Sequence, residues 1–278
     1  MQNADVSKII NSLQINGDYE ISLACTDNQT GETIEYNGDH FIYPASIYKM
    51  FVVAEVLRQI ESENLSLSQE IEIVSPNDVD KIKSELGNDV RPFLNAGDTP
   101  TLEYLIDLVL TRSDNTASNT LIDLVGRESI NKNIIKVNDW QGSEVTRKYL
   151  ARDLEEDKYK DAPVTLSCAN HLANFFYKLE RGEIPGKEII KKYSEISYNQ
   201  RKKGPSFEEG VIFYRKGGWT ATRLRDGRFI KYQGFTGIVQ GGGRDCSIAV
   251  LTILKTDNFT AVFPIQELSE EIYRFCKK

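Results

Sequence analysis

Apolar residues along the chain switch between a spacing of about 3.6 and a spacing of about 2, the marks of helix and strand. Val6, Ile9, Ile10 and Leu13 share one face of a short amphipathic helix over Met1–Gln14. Tyr19–Thr26 then alternates apolar and polar, and Thr33–Tyr36 follows across Asn28-Gln29-Thr30-Gly31, which predicts a β-hairpin. From Ser46 to about Ser62 the chain is apolar on nearly every side, with Met50-Phe51-Val52-Val53 and Val56-Leu57, as a helix in the middle of a core would be. Helical spacing recurs over Thr101–Leu110, Thr116–Val125, Arg127–Val137, Cys168–Leu179 and Lys187–Tyr193, separated by Gly, Pro, Asp and Asn. Strand patterns return over Val211–Lys216, Phe229–Val239 and Ser247–Leu254, with Lys216-Gly217-Gly218 closing the first, and an amphipathic helix follows from Pro264 to Cys276.

Strands at both ends with helices between them predict an α+β fold. Residues 1–45 and 205–278 form an antiparallel sheet lobe with flanking terminal helices, and residues 46–204 an inserted all-helical lobe, together one discontinuous two-lobed catalytic domain. Neither an internal repeat nor a Gly/Ser linker interrupts the pattern, and 278 residues suffice for a sizeable core.

Composition narrows the function. With 41 acidic against 34 basic residues the formal charge is −7. The short basic clusters, Arg201-Lys202-Lys203 and Arg223 to Lys231, read as solvated loop charge, so nucleic acid is not an expected partner. No apolar run approaches the roughly 18 residues of a membrane span. Met1–Gln14 has no signal core or cleavage site, which leaves two expectations: an extracytoplasmic protein if a signal was removed, a cytoplasmic one if Met1 is the native start. Cys25, Cys168, Cys246 and Cys276 lack metal-binding spacing and read as free thiols in apolar patterns. His40 and His171 are too few for a histidine-rich metal site or a Ser-His-Asp triad, so no cofactor is expected and a nucleophile needs another base. A monomer is expected.

Three short motifs supply that chemistry. Ser46-Ile47-Tyr48-Lys49 sets a hydroxyl and an amine one helical turn apart, where the amine can take the hydroxyl proton if burial favours its neutral form. The spacing alone does not choose it, because Ser129-Ile130-Asn131-Lys132 has the same form. The extended Tyr43-Pro44-Ala45 approach to Ser46 distinguishes the first copy. Ser113-Asp114-Asn115 is a turn-prone tripeptide that caps the following helix, where the hydroxyl could relay a proton and the amide could bind both a substrate carbonyl and Lys49. Lys216-Gly217-Gly218 allows close approach of a substrate backbone to a strand.

The motifs follow in the order Ser-x-x-Lys, Ser-Asp-Asn, Lys-x-Gly, with 67 residues from Ser46 to Ser113 and 103 from Ser113 to Lys216. In this the chain resembles the class A serine β-lactamases and penicillin-binding proteins, over most of its length from about Tyr19. The resemblance implies a β-lactamase/transpeptidase-like fold and an acyl-enzyme on Ser46, formed from a β-lactam, a D-alanyl peptide or an ester. It implies Ser46, Lys49, Ser113 and Lys216 as catalytic residues: nucleophile, activating base, proton relay to the leaving nitrogen, and anchor for the substrate carboxylate. Asn115, Gly218, Trp219 and Thr220 would bind substrate, and the backbone N–H groups of Ser46 and Trp219 would form the oxyanion hole.

Two departures from the family pattern alter the expectation. Gly217 stands where the family has Thr or Ser, and no Glu-x-x-x-Asn occurs in Gly142–Pro163, where Glu155 and Glu156 read as a solvated acidic run. Deacylation is therefore expected to be slow, and an acylated or liganded sensor, or an inactive relative, is the alternative to a turning-over enzyme.

Overall fold

The computed structural model of the protein describes residues 3–15, 17–80, 89–201 and 209–275. They form two compact units: Met1–Ile47, Leu166–Glu183 and Lys202–Lys278 make the first, Tyr48–Thr165 and Ile184–Arg201 the second.

The first unit is built on a five-stranded antiparallel sheet of order β2-β1-β5-β4-β3, from β1 (Asp18–Asp27), β2 (Thr33–Tyr36), β3 (Ile212–Arg223), β4 (Phe229–Gly241) and β5 (Arg244–Thr256). The expected β1–β2 hairpin has Cys25 opposite Ile34. Residues Ile21–Thr26 of β1 are buried without alternation, as are Cys246–Thr252 of β5, so both faces of the central strands are covered. Helix α6 (Ala169–Glu180) lies across β1, β5 and β4, while α1 (Asn3–Ser12) meets α8 (Ile265–Phe275) through faces that bury Ile9, Ile10, Leu268 and Ile272. Lys231 corrects the reading of Arg223 to Lys231 as solvated charge: it sits in β4, is buried, and its amine donates to the carbonyls of Phe259 and Ala261. In the other basic cluster Lys202 and Lys203 lie outside the described residues, as does Cys276. Cys25, Cys168 and Cys246 are buried free thiols, and burial pushes the Cys168 thiol up to about 11.

The second unit is helical. At its centre α2 (Lys49–Glu61) buries every residue from Lys49 to Leu57, against α3 (Leu102–Thr111), α4 (Asn115–Val125) and α5 (Arg127–Ile130), and α7 (Lys187–Arg201) packs on α3. Thr101 and Asp114 cap α3 and α4 through bonds from the backbone N–H of Tyr104 and Ala117. The single helix expected over Arg127–Val137 breaks after Ile130 into a π turn, Asn131–Ile135, and a 3-10 turn. The π turn lets the Asn131 amide grip both the N–H and the carbonyl of Val145, a hydrogen-bonded pairing that a hydrophobic pattern does not encode. No described helix is long and apolar enough to cross a membrane.

Candidate active site

Ser46 stands in a 3-10 turn, Ala45–Tyr48, that runs directly into α2. The α-helix thus begins at Lys49 rather than at Ser46. Ala45 holds a positive φ of 47°, a conformation costing a non-glycine residue roughly 1–3 kcal/mol. The turn is seated against the sheet where two glycines face each other across the β3–β4 pair, Gly218 opposite Gly234. A side chain at Gly218 would meet the Pro44 carbonyl at 2.6 Å and the Ser46 nitrogen at 2.9 Å, and one at Gly234 would meet Ile47 at 3.2 Å. The Ser46 N–H therefore lies beside the β3 backbone one residue before Trp219, a strand position whose side chain is half exposed.

The strand does not end at Lys216-Gly217-Gly218, as the sequence suggested. β3 continues to Arg223 with unbroken pairing, Lys216 opposite Thr236, Trp219 opposite Gln233 and Thr220 opposite Tyr232, and the chain turns only at Asp226-Gly227. Two glycines do not stop this strand, because ladder bonds to β4 hold the backbone and the space above Gly218 is filled by the Ser46 turn. Lys216 is buried, its amine donating to the Gly217 carbonyl at 2.9 Å.

Lys49 is almost wholly buried, and its amine donates to the Ser113 carbonyl at 2.8 Å, to the Asn115 Oδ1 at 2.7 Å and more weakly to the Asp114 carbonyl at 3.4 Å. Lys49 of the first motif is thereby brought together with the second motif within the helical unit. Ser113 also has positive φ, at 60°, so the chain reverses there and its carbonyl and the Asn115 amide reach one amine. The turn is propped from behind. Buried Asp114 pairs with buried Arg112 at 2.7 Å, whose guanidinium also donates to the carbonyls of Arg91 and Pro92 at 3.0 Å.

The second Ser-x-x-Lys copy serves the core instead. The Ser129 hydroxyl donates to Glu55 at 2.7 Å, and Lys132 is exposed. Burial pushes the Glu55 carboxyl up, but bonds from Arg58, Gln59, Ser129 and Asn133 outweigh it and hold the group below its ordinary range.

Glu155 is a second correction. It is buried rather than solvated, its carboxylate paired with buried Arg127 at 2.6 Å and accepting from the Lys148 N–H at 2.9 Å, while half-exposed Glu156 pairs with Arg127 at 3.3 Å. The plainly acidic run gave no sign of the distant arginine.

Sequence reasoning also missed a polar stripe on α4. Asn115, Asn119 and Asp123 recur every four residues, on one helix face. Asn115 holds Lys49 and Asp80; fully buried Asn119 takes the Tyr149 N–H at 2.9 Å and donates to its carbonyl at 3.2 Å; Asp123 takes Lys148 at 2.9 Å and Asn77 at 2.7 Å. Three amide or carboxylate residues spaced four apart along α4 were the available signal. The described residues contain no group of His, Cys, Asp and Glu fit to hold a metal.

Comparison with known proteins places the chain in a family. A β-lactamase of Streptomyces fradiae is 29% identical over 140 residues, 50% of this chain and 44% of that protein, so the match spans less than half the relative's length. The TLA-1 extended-spectrum β-lactamase superposes with a TM-score of 0.79 at 15% identity over 100% of both chains, and PBP-A with 0.74 at 14% identity over 98% of this chain and 95% of that one. The family profile described as "Beta-lactamase enzyme family" matches residues 5–276. The chain belongs to the β-lactamase enzyme family.

Proposed function

We propose that the protein is a serine hydrolase that opens β-lactams, and by the same chemistry D-alanyl peptides or esters, through an acyl-enzyme on Ser46. The observation that carries this reading is the buried Lys49 amine held by the Ser113 carbonyl and the Asn115 amide one helical turn from Ser46. Lys49 takes the proton of the Ser46 hydroxyl, the oxygen attacks the carbonyl, and the Ser46 and Trp219 N–H groups stabilise the oxyanion. Ser113 passes a proton to the departing nitrogen, Asn115 receives a substrate carbonyl, Lys216 anchors the carboxylate, and Thr220 stands in for the hydroxyl that Gly217 lacks.

Hydrolysis of the acyl-enzyme is the slow step. The buried carboxylate in residues 142–163, Glu155, is committed to Arg127 and a backbone N–H, and general-base catalysis is worth about 10²–10⁴-fold. This favours, as a second reading, a protein that holds its acyl group as a sensor would. Intact mass after mixing with excess benzylpenicillin, followed together with lactam absorbance, separates the two readings. We expect a penicilloyl adduct that accumulates, is absent in Ser46→Ala and persists in Ser129→Ala. Equal labelling of wild type and Ser46→Ala would refute the nucleophile, and rapid lactam loss without an adduct would refute slow deacylation.

A further inference from the structure

We propose that Asp80 is a positioning residue for the reaction, fixing the orientation of the Asn115 amide; the proposal rests on the acyl-transfer reading above. Asp80 holds Asn115 twice: one carboxylate oxygen accepts the Asn115 backbone N–H at 2.5 Å and the other accepts its side-chain Nδ2 at 2.9 Å. On its other side Asn115 Oδ1 accepts from Lys49 at 2.7 Å. A carboxylate only accepts, so the two Asp80 oxygens admit a single orientation of the amide, its nitrogen to Asp80 and its oxygen left facing Lys49. The nitrogen carries two hydrogens. Asp80 takes one, and the other is the donor that a substrate carbonyl would meet. The carboxylate also polarises the amide, strengthening its oxygen as an acceptor for Lys49.

Asp80 is delivered to this place by its own segment. The backbone N–H groups of Val79 and Asp80 both donate to the Thr116 hydroxyl, at 3.1 and 3.2 Å, and buried Asn77 is tied to Asp123 at 2.7 Å and to Lys148 at 3.1 Å. Residues 77–80 are therefore laid along α4, the helix that carries Asn115. A tether of that kind already exists without the carboxylate, which leaves the two Asp80 oxygens to act on Asn115.

The test compares acylation by benzylpenicillin, which has a side-chain carbonyl, with acylation by 6-aminopenicillanic acid, which lacks one. Asp80→Ala, and Asp80→Asn as the variant of equal shape, should lose about tenfold or more on benzylpenicillin, the worth of a hydrogen bond to a charged group, and much less on 6-aminopenicillanic acid. In the Asn115→Ala background Asp80→Ala should cause no further loss. Equal losses on the two substrates, or losses that add, would overturn the proposal. A readout independent of turnover is the Asn115 side-chain amide in ¹⁵N–¹H spectra: its two protons should be widely separated in the wild type and draw together in Asp80→Ala. If the wild type forms no adduct but the amide signals respond, the acyl-transfer reading fails and the Asp80–Asn115 link stands; signals indifferent to Asp80→Ala would overturn the link itself.

Discussion

The two glycines after Lys216 differ in what a single methyl would meet. At Gly217 a new Cβ encounters the Arg215 guanidinium at 3.2 Å, the far end of a flexible side chain that can swing away. At Gly218 it encounters the Pro44 carbonyl and the Ser46 nitrogen, both backbone and both under 3.0 Å, so the turn holding the nucleophile must move. Gly217→Ser should therefore fold normally and, by returning a hydroxyl beside the substrate carboxylate, raise the second-order acylation constant several-fold, the worth of about 1 kcal/mol of hydrogen bonding. Gly218→Ala should keep its helical circular dichroism yet acylate slower by about 10²-fold, as misplacing a reacting group by about 1 Å does. Stopped-flow acylation by a chromogenic lactam reads both, and a Gly218→Ala variant acylating at the wild-type rate would show that Ser46 does not depend on that close contact. The glycine pair was visible in the sequence. Its meaning was not, because which of two adjacent glycines faces a crowded backbone depends on register with β4 and on a turn more than 170 residues earlier.

Among the elements, α4 carries the most at once, capping itself with Asp114 while its stripe of Asn115, Asn119 and Asp123 fastens three segments outside the helix. Asn119 is the one whose loss is easiest to predict. It is fully buried and satisfies both backbone groups of Tyr149, whose own side chain is largely exposed, so Asn119→Ala strands a donor and an acceptor and leaves a small void. The expected cost is about 2 kcal/mol. Urea unfolding at pH 7 measures it, and proteolysis should open first in residues 146–150; unchanged stability would mean that water replaces the Asn119 amide. Element types were legible here because helical period and capping residues are local: Thr101 and Asp114 announced the starts of α3 and α4. The π turn after α5, the extension of β3 through its glycines and the burial of Glu155 were not legible, since each is decided by a partner far along the chain: Val145, β4 and Arg127.

For the molecule as a whole, the assembly of one sheet from both ends of the chain followed from strand patterns before residue 37 and after residue 210, and the three motifs carried the candidate site residues. What they did not reveal is the support behind the Ser113 turn, and that support makes stability depend on pH. Arg91 joins Asp89 at 2.7 Å to Asp107 at 2.8 Å and to the Thr111 hydroxyl, while its carbonyl receives Arg112, the partner of Asp114. Hydrogen bonds from the Arg91 guanidinium, with its backbone N–H and nearby positive charge, outweigh burial and hold the Asp89 carboxyl down at about 2, from an ordinary value of 3.8. A group whose folded value is depressed contributes stability that is fully present above its unfolded value and is lost as pH falls through the folded one. The window is thus pH 4 to 2, and the amount is about 2 kcal/mol, with little solvent screening because the Asp89 side chain is only 7% exposed. Other carboxylates titrate in the same range, so the comparison must be a difference. Asp89→Asn should melt below the wild type at pH 7, and the gap should narrow as pH falls from 4 and be mostly closed at pH 2, where about half of the folded wild type has lost the same charge. Thermal melts at half-unit steps of pH measure the gap directly, and one that stays constant down to pH 2 would show that the Asp89–Arg91 pair contributes through packing alone.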